Sequence, residues 1–144
     1  MPRMIFVNLP VTDLQRSMRF YEAVGAANEP KFTNAAAAMM RFSDAVNVML
    51  LTHDFYRTFT TKQIPDAHNS AQVLLCLSAD SREAVDAQVE AAGRAGGVLD
   101  PCPKQDMGGF MYGRSFEDPD GHIWEVMWMD TSAAEQGAVA LENA

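Results

Sequence analysis

The sequence lacks the features that mark secreted and membrane-spanning proteins. It has two cysteines, Cys76 and Cys102, without Cys-x-x-Cys spacing, so a disulfide framework is not indicated. No apolar run approaches the roughly 18–20 residues that a membrane-spanning helix needs, and the first residues do not resemble a signal peptide. We therefore expect a reduced, cytoplasmic protein without a membrane partner.

Basic residues are also scarce. Eleven Lys and Arg stand against nineteen Asp and Glu, which gives a formal net charge of −8, and the basic residues form no stripe. Proteins that bind a phosphate backbone need a concentrated positive surface. We expect no nucleic-acid partner.

Apolar residues, by contrast, are plentiful. They make up 48% of the 144 residues, enough for one well-buried core. We predict a single domain over residues 1–130. Residues 131–144 are mostly Ala, Glu and small polar residues, and we predict that they form a mobile tail.

The first half of the chain carries one strand signal, one helix signal and three further strand signals. Residues 4–9 are apolar and partly β-branched, and Pro10 ends the run, which predicts a strand. Apolar residues at helical spacing then predict an amphipathic helix over residues 13–24, before Gly25. Three short strands are predicted over residues 31–34, 37–43 and 46–52.

The second half repeats this order. Residues 71–78 form a strand-like run, and a helix follows in which Val85 and Val89 face inward until Gly93. Three more strands are predicted over residues 98–102, 109–117 and 123–129. The order is therefore βαβββ in both halves, which indicates a structural repeat.

The repeat predicts the fold class. Each helix begins after residues that can cap it, Thr12 or Asp13 in the first module and Asp80 or Ser81 in the second. One helix covers only one face of its sheet, so each module must bury the other face elsewhere. We predict an α+β fold of two βαβββ modules, residues 4–53 and 71–130, that form a curled mixed sheet around a cup.

The segment between the modules, residues 54–70, is too long for a simple turn. It contains Phe55, Tyr56 and Phe59, which suits a crossover packed on the edge of a sheet. A lid over the cup is the alternative.

Two motifs carry a resemblance to a known superfamily. They are the Val-Asn-Leu-Pro-Val-Thr-Asp-Leu run of residues 7–14 and the Asp-Pro-Asp-Gly-His-x-Trp-Glu run of residues 118–125. Together they resemble the vicinal-oxygen-chelate superfamily, which includes glyoxalase I, extradiol dioxygenases, and fosfomycin- and bleomycin-resistance proteins. The resemblance covers residues 4–130, and residues 48–52 and 110–117 look most like a bacterial lactoylglutathione-lyase-like subgroup.

The resemblance implies a divalent metal held by side chains of the first, fourth, fifth and eighth strands. The matching positions are Phe6, Met49, Leu74 (Gln72 if the register shifts by two) and Glu125. Carbon does not ligate metals, and the Met49 thioether suits soft ions only. A single carboxylate does not hold a divalent ion tightly. We expect no tightly bound metal and no other cofactor.

A weaker metal site is the alternative. Asn8 and Gln72 share strand faces with Phe6 and Leu74, so Asn8, Gln72 and Glu125 offer three oxygen ligands for a hydrated Mg²⁺-like or Mn²⁺-like ion. The histidines, His53, His68 and His122, are interpreted as surface or turn residues.

The last hairpin makes a sharp geometric prediction. If residues 118–121 form a four-residue loop, Arg114 lies opposite Glu125, and the guanidinium occupies the carboxylate that a metal would need. In the alternative, a one-residue bulge turns Arg114 away from Glu125. The same alternation places Tyr112, Phe116 and Met127 on the cup face. An apolar cup with a few polar groups is typical of a pocket for an organic ligand. The predicted ligand-binding residues are Phe6, Asn8, Met49, Leu51, Gln72, Leu74, Tyr112, Arg114, Phe116 and Met127, and Glu125 is the candidate general base.

These observations favour a protein that binds a small organic molecule in an apolar cup without a tightly bound metal. The resemblance also implies a homodimer, because relatives commonly complete their sheets or cups in that way. The alternative functions are a metal-dependent enzyme of the lactoylglutathione-lyase or dioxygenase type and a scaffold without a ligand.

Overall fold

The computed structural model describes residues 3–130, and the predicted mobile tail lies outside these residues. The first module contains four strands and two helices. In chain order they are β1 (Ile5–Val11), α1 (Leu14–Ala23), β2 (Ala27–Glu29), β3 (Ala37–Arg41), β4 (Val46–Thr52) and α2 (His53–Tyr56).

The strands of the first module form a four-stranded sheet in the order β1-β4-β3-β2. β1 runs parallel to β4, and the other pairs are antiparallel. The prediction of a strand over residues 31–34 is wrong. The observed strand, β2, ends at Glu29, and a 3₁₀ turn follows over Pro30–Phe32. Proline has a fixed φ and no N–H donor, so Pro30 suits the first position of this turn.

The second module contains β5 (Leu75–Ser78), α3 (Arg82–Arg94), β6 (Val98–Leu99), β7 (Gln105–Asp106), β8 (Met111–Glu117) and β9 (Ile123–Met129). Its sheet has the order β5-β9-β8-β6, and β7 also pairs with β8.

The predicted strand over residues 98–102 is divided into two short strands. β6 ends at Leu99, and Asp100 has a φ of 51°, a left-handed conformation that a strand does not contain. Pro101 and Pro103 follow, and neither donates a ladder hydrogen bond. The chain therefore pairs with β8 twice, through β6 and β7.

The helices begin at two of the predicted caps. The Asp13 side chain accepts a hydrogen bond from the Arg16 amide, and the Ser81 side chain accepts one from the Ala84 amide. Each bond satisfies a donor of the first helical turn that has no partner within the helix.

One apolar core connects the two modules. The Trp124 indole donates a hydrogen bond of 2.9 Å to the Tyr21 hydroxyl, and the rings of Phe20 and Phe116 lie 5.8 Å apart. Gly97 permits this packing, because a Cβ atom there would lie 2.4 Å from the Glu117 carbonyl and 2.8 Å from the Phe20 ring. The α+β class with two mixed sheets is confirmed. Curling of the sheets around a cup stays a prediction.

Candidate functional site

The face of the first sheet that lies opposite its helix carries the first group of candidate residues. Along β1, Leu9 and Val11 are buried in the core shared with the helices. Side chains alternate along a strand, so Phe6 and Asn8 point to the other face, and both are exposed. We call this surface the open face.

The open face contains an apolar pocket of about 320 Å³, which we call the methionine pocket. It is lined by Met4, Phe6, Phe32, Met39, Arg41 and Met49. Phe6 and Phe32 are 49% and 61% exposed, so large aromatic surfaces remain in contact with solvent. The structure thus brings the predicted residues Phe6 and Met49 together.

Sequence reasoning missed the other four residues of this pocket. Met39 pairs with Met49 across the sheet, and the alternation of β3 would have placed it there. The sequence did not indicate Phe32 as a pocket residue. Phe32 lies in a 3₁₀ turn, where side chains do not alternate as they do in the strand that we predicted there.

Asn47 is a buried residue of β4 whose partners on the neighbouring strands line the methionine pocket. In the sheet it is flanked by Phe6 of β1 and Arg41 of β3, both of which line the pocket. Its Nδ2 atom donates to the Ile5 carbonyl at 3.2 Å. Its Oδ1 atom is buried and has no hydrogen-bond partner among residues 3–130. Such an acceptor is costly unless a donor reaches it.

Asn8 and Gln72 both line a second cavity, which we call the junction groove. It has a volume of about 390 Å³ and lies between the modules, where Tyr56 and Ile123 also line it. Leu74 lies beside this groove and is 51% exposed. Leu51, by contrast, is 2% exposed and pairs with Ala37, so its predicted place in a ligand pocket is not supported by its burial.

Glu125 lies on the face of the second sheet that is opposite the helices. Trp124 and Val126 on either side of it are buried in the core, so Glu125 and Met127 point the other way. Glu125 pairs with Cys76 of β5. Burial raises the pKa of the Cys76 thiol, and the negative charge of Glu125 raises it further. The thiol is therefore poorly activated as a nucleophile.

The predicted contact between Arg114 and Glu125 is wrong. Glu117 pairs with Ile123, so five residues form the loop and Arg114 lies opposite Val126. The Asp118 side chain makes this wider loop stable, because its Oδ1 atom accepts hydrogen bonds from the amides of Asp120 and His122. The extra residue turns Arg114 to the other face of the sheet.

Arg114 instead contacts three carboxylates on the helix side, and its side chain is 5% exposed. It forms two hydrogen bonds with Asp100, of 3.0 and 2.8 Å, and its Nη1 atom lies 3.0 Å from both Asp86 and Glu90. These bonds raise the pKa of Arg114, and the bond from Arg114 lowers the pKa of Asp100.

Tyr112 and Phe116 lie on the same face as Arg114, so their predicted place on the cup face is also wrong. The Tyr112 hydroxyl donates a 2.7 Å hydrogen bond to Asp86, which raises the pKa of Tyr112 and lowers that of Asp86. The Arg82 guanidinium lies 4.2 Å from the centre of the Tyr112 ring. Phe116 is completely buried. Tyr112 and Arg114 thus belong to the packing between α3 and the second sheet, and Phe116 packs against Phe20 of α1 in the shared core.

The residues present do not fit the four-ligand metal set that the resemblance implies. Phe6 and Met49 line an apolar pocket, and Leu74 has no donor atom. Within residues 3–130, no three His, Cys, Asp or Glu side chains are grouped so that they could hold a metal ion. Three oxygen ligands were predicted for the alternative, weaker metal site. Two of them, Asn8 and Gln72, line the junction groove, whereas the third, Glu125, does not.

The sequence pattern of the Glyoxalase/Bleomycin resistance protein/Dioxygenase superfamily matches residues 3–126. The chain therefore belongs to this superfamily, as the motifs predicted. Among the curated proteins, no sequence matches this chain. The helices of residues 3–130 are not long and apolar enough to cross a membrane.

Solved structures of the superfamily share the fold. A glyoxalase/bleomycin resistance protein/dioxygenase family enzyme from Burkholderia phytofirmans PsJN has a TM-score of 0.74 at 19% identity, covering 90% of this chain and 100% of its own. The fosfomycin resistance protein FosX from Mesorhizobium loti has a TM-score of 0.66 at 17% identity, covering 94% and 98%. TnmS3, an antibiotic binding protein from Streptomyces sp. CB03234, has a TM-score of 0.62 at 19% identity, covering 90% and 98%.

Proposed function

We propose that this protein binds a small organic molecule at the open face of the first sheet, without a tightly bound divalent metal. The observation that carries the proposal is the methionine pocket, in which exposed Phe6 and Phe32 stand beside one guanidinium, that of Arg41. Large apolar side chains grouped on a surface mark interaction sites, because their exposure to water is unfavourable.

The chemistry of the pocket suits an organic ligand with polar groups at its edge. Methionine side chains adapt to irregular shapes and make favourable contacts with aromatic rings. Asn8, two residues from Phe6 on the same face, adds an amide at the border with the junction groove.

The relatives support a small-molecule ligand. One solved structure of this fold is named as a fosfomycin resistance protein and another as an antibiotic binding protein. At 17% and 19% identity they do not identify the ligand of this chain.

The proposal includes a homodimer and a cytoplasmic location. Ile5 and Phe6 on β1 and Val73 and Leu74 before β5 are each about half exposed or more, and a second copy of the chain would cover part of this surface. Cys76 and Cys102 are free thiols, which is typical of reducing compartments.

Binding can be measured with 1-naphthol as a fluorescent probe of the methionine pocket. Phe6→Ser removes an aromatic wall of the pocket, so we expect the Kd of the probe to rise by about tenfold or more. Phe59→Ser is the matched control, because Phe59 is 67% exposed and contacts Phe55 outside the pocket. Equal affinities of the two variants would contradict this placement of the ligand.

Metal content separates the proposal from its main alternative. Protein purified without chelator is expected to contain no stoichiometric Ni, Zn, Mn or Fe by elemental analysis. The alternative, an enzyme of the lactoylglutathione-lyase or dioxygenase type, requires about one metal ion per chain. It also requires hemithioacetal or catechol turnover that depends on added metal and is lost in Glu125→Gln, where the candidate general base is removed.

A further inference from the structure

All three histidines of the chain line one cavity, although they come from separate parts of the sequence. His53 begins α2, His68 lies in the segment between the modules, and His122 follows the turn between β8 and β9. The cavity has a volume of about 450 Å³, and Arg16 from the first turn of α1 also lines it. We call it the histidine pocket.

The acceptors of the histidine pocket already have donors. Asp120 Oδ1 accepts hydrogen bonds from the Thr12 amide and hydroxyl, at 3.0 and 2.7 Å. Asp66 accepts from the His68 amide and from Asn69 Nδ2, both at 3.0 Å. These two carboxylates are therefore satisfied by their neighbours.

Several donors of the pocket remain available. The His53 and His68 imidazoles form no hydrogen bond with any part of residues 3–130. Arg16 donates to the Thr12 hydroxyl at 3.1 Å and lies 4.0 Å from Asp120, and it is 45% exposed. His122 Nε2 lies 2.8 Å from the Pro10 carbonyl and donates to it, which orients the ring.

This balance of groups favours an anion. A guanidinium binds carboxylate and phosphate oxygens through charge-assisted hydrogen bonds, and an imidazole N–H group donates to the same oxygens. A metal ion is not favoured, because no three His, Cys, Asp or Glu side chains within residues 3–130 are grouped so that they could hold one. With a net charge of −8, the chain would attract a small anion only where cationic groups are concentrated.

The adjoining cavity indicates what the anion is attached to. The junction groove shares Pro10, Pro65, Ala67 and His122 with the histidine pocket. It adds the aromatic ring of Tyr56 and the apolar side chain of Ile123. A ligand that spans both has a charged group at the histidines and an apolar body in the groove.

We infer that the histidine pocket binds the oxyanion group of a small organic acid or phosphate ester, whose apolar body lies in the junction groove. This site is separate from the methionine pocket, with which it shares no lining residue.

The charged groups that face the histidines are Arg16, Asp66 and Asp120, and the buried Asp118 side chain accepts a hydrogen bond from the His122 amide.

Phenyl phosphate tests the inference, with benzoate as the carboxylate probe and benzyl alcohol as the uncharged one. By calorimetry, we expect at least one anionic probe to bind measurably. Benzyl alcohol should not bind measurably. Histidine ring NMR signals should shift on addition of the bound anion.

Variants locate the site. Arg16→Gln and His68→Asn change exposed side chains, and each should raise the Kd of the bound anion by about fivefold or more. Arg19→Gln, an exposed arginine of the same helix outside the pocket, is the matched control and should bind as the wild type does. Unchanged affinity in the double variant Arg16→Gln/His68→Asn, equal binding of benzyl alcohol, or no binding of either anion would each overturn the inference. None of these results depends on 1-naphthol binding to the methionine pocket.

Discussion

At the scale of single residues, Arg114 shows how one shift in register changes a role. Its guanidinium is buried and contacts Asp86, Glu90 and Asp100, of which Asp100 is the most buried, at 25% exposed. A buried guanidinium is stable because its hydrogen bonds and nearby carboxylates replace the water that it lost. The residue that the sequence placed in a ligand site therefore stabilises the fold.

Arg114→Met is expected to lower the free energy of unfolding by about 3 kcal/mol, because three carboxylates lose their shared partner. Urea unfolding followed by circular dichroism measures this change. Arg57→Met removes an exposed ion pair with Asp54 and should cost less than about 1 kcal/mol. A similar loss in both variants would contradict the role of Arg114.

The ion pair between Arg114 and Asp100 predicts how stability depends on pH. Arg114 lowers the pKa of Asp100, so the folded protein releases this proton at a lower pH than the unfolded chain does. The resulting stability is present above about pH 4 and is lost as the pH falls through the lowered pKa. Unfolding free energies measured between about pH 5 and about pH 2 should fall less steeply in Arg114→Met than in the wild type. If the unfolding free energies of the wild type and Arg114→Met fell in parallel with pH, a group other than Arg114 would be lowering the pKa of Asp100.

At the scale of elements, the loop between β8 and β9 connects the second module to the first through hydrogen bonds. Asp118 is buried, and the Tyr21 hydroxyl of α1 donates a 2.6 Å hydrogen bond to its Oδ2 atom. Asp120 binds Thr12 at the start of the same helix. The Asp-Pro-Asp-Gly motif thus holds the hairpin against the first module, which is a structural role for residues that carried the family resemblance.

Asp118→Ala is expected to cost about 2 kcal/mol of unfolding free energy, because it leaves the Tyr21 hydroxyl and two loop amides without their acceptor. Hydrogen exchange should become faster at the amides of Asp120 and His122. Asp44→Ala is the control, since Asp44 is fully exposed near the turn between β3 and β4. Unchanged exchange in Asp118→Ala would mean that the loop geometry has another cause.

At the scale of the whole molecule, the exposed apolar surface leads to an expectation about assembly. By sedimentation, we expect a particle of twice the 15.8 kDa of one chain. Ile5→Glu places a charge on a 55% exposed side chain of β1 and should give monomers, whereas Phe59→Glu, on the segment between the modules, should not. A monomeric wild type would remove the dimer from the proposal and leave the methionine pocket to be tested alone.

The sequence predicted the fold well because its signals are local. Apolar periodicity, Gly25 and the caps identified both long helices, and alternation identified the main strands. It failed where the backbone leaves regular geometry, as at Asp100 with its positive φ and in the five-residue loop after Glu117. Such departures depend on contacts distant in sequence, including the one between Tyr21 and Asp118.

The sequence by itself determined the superfamily and the order of helices and strands, because residue identity and spacing carry that information. That Phe6, Met49 and Leu74 stand at the metal-ligand positions of the superfamily stays a prediction from the resemblance. Only the tertiary structure decided which face Tyr112, Arg114 and Phe116 occupy, since one residue in a loop reverses every side chain beyond it. It alone brought His53, His68 and His122 into one cavity, because their separation in sequence is closed by packing between the modules.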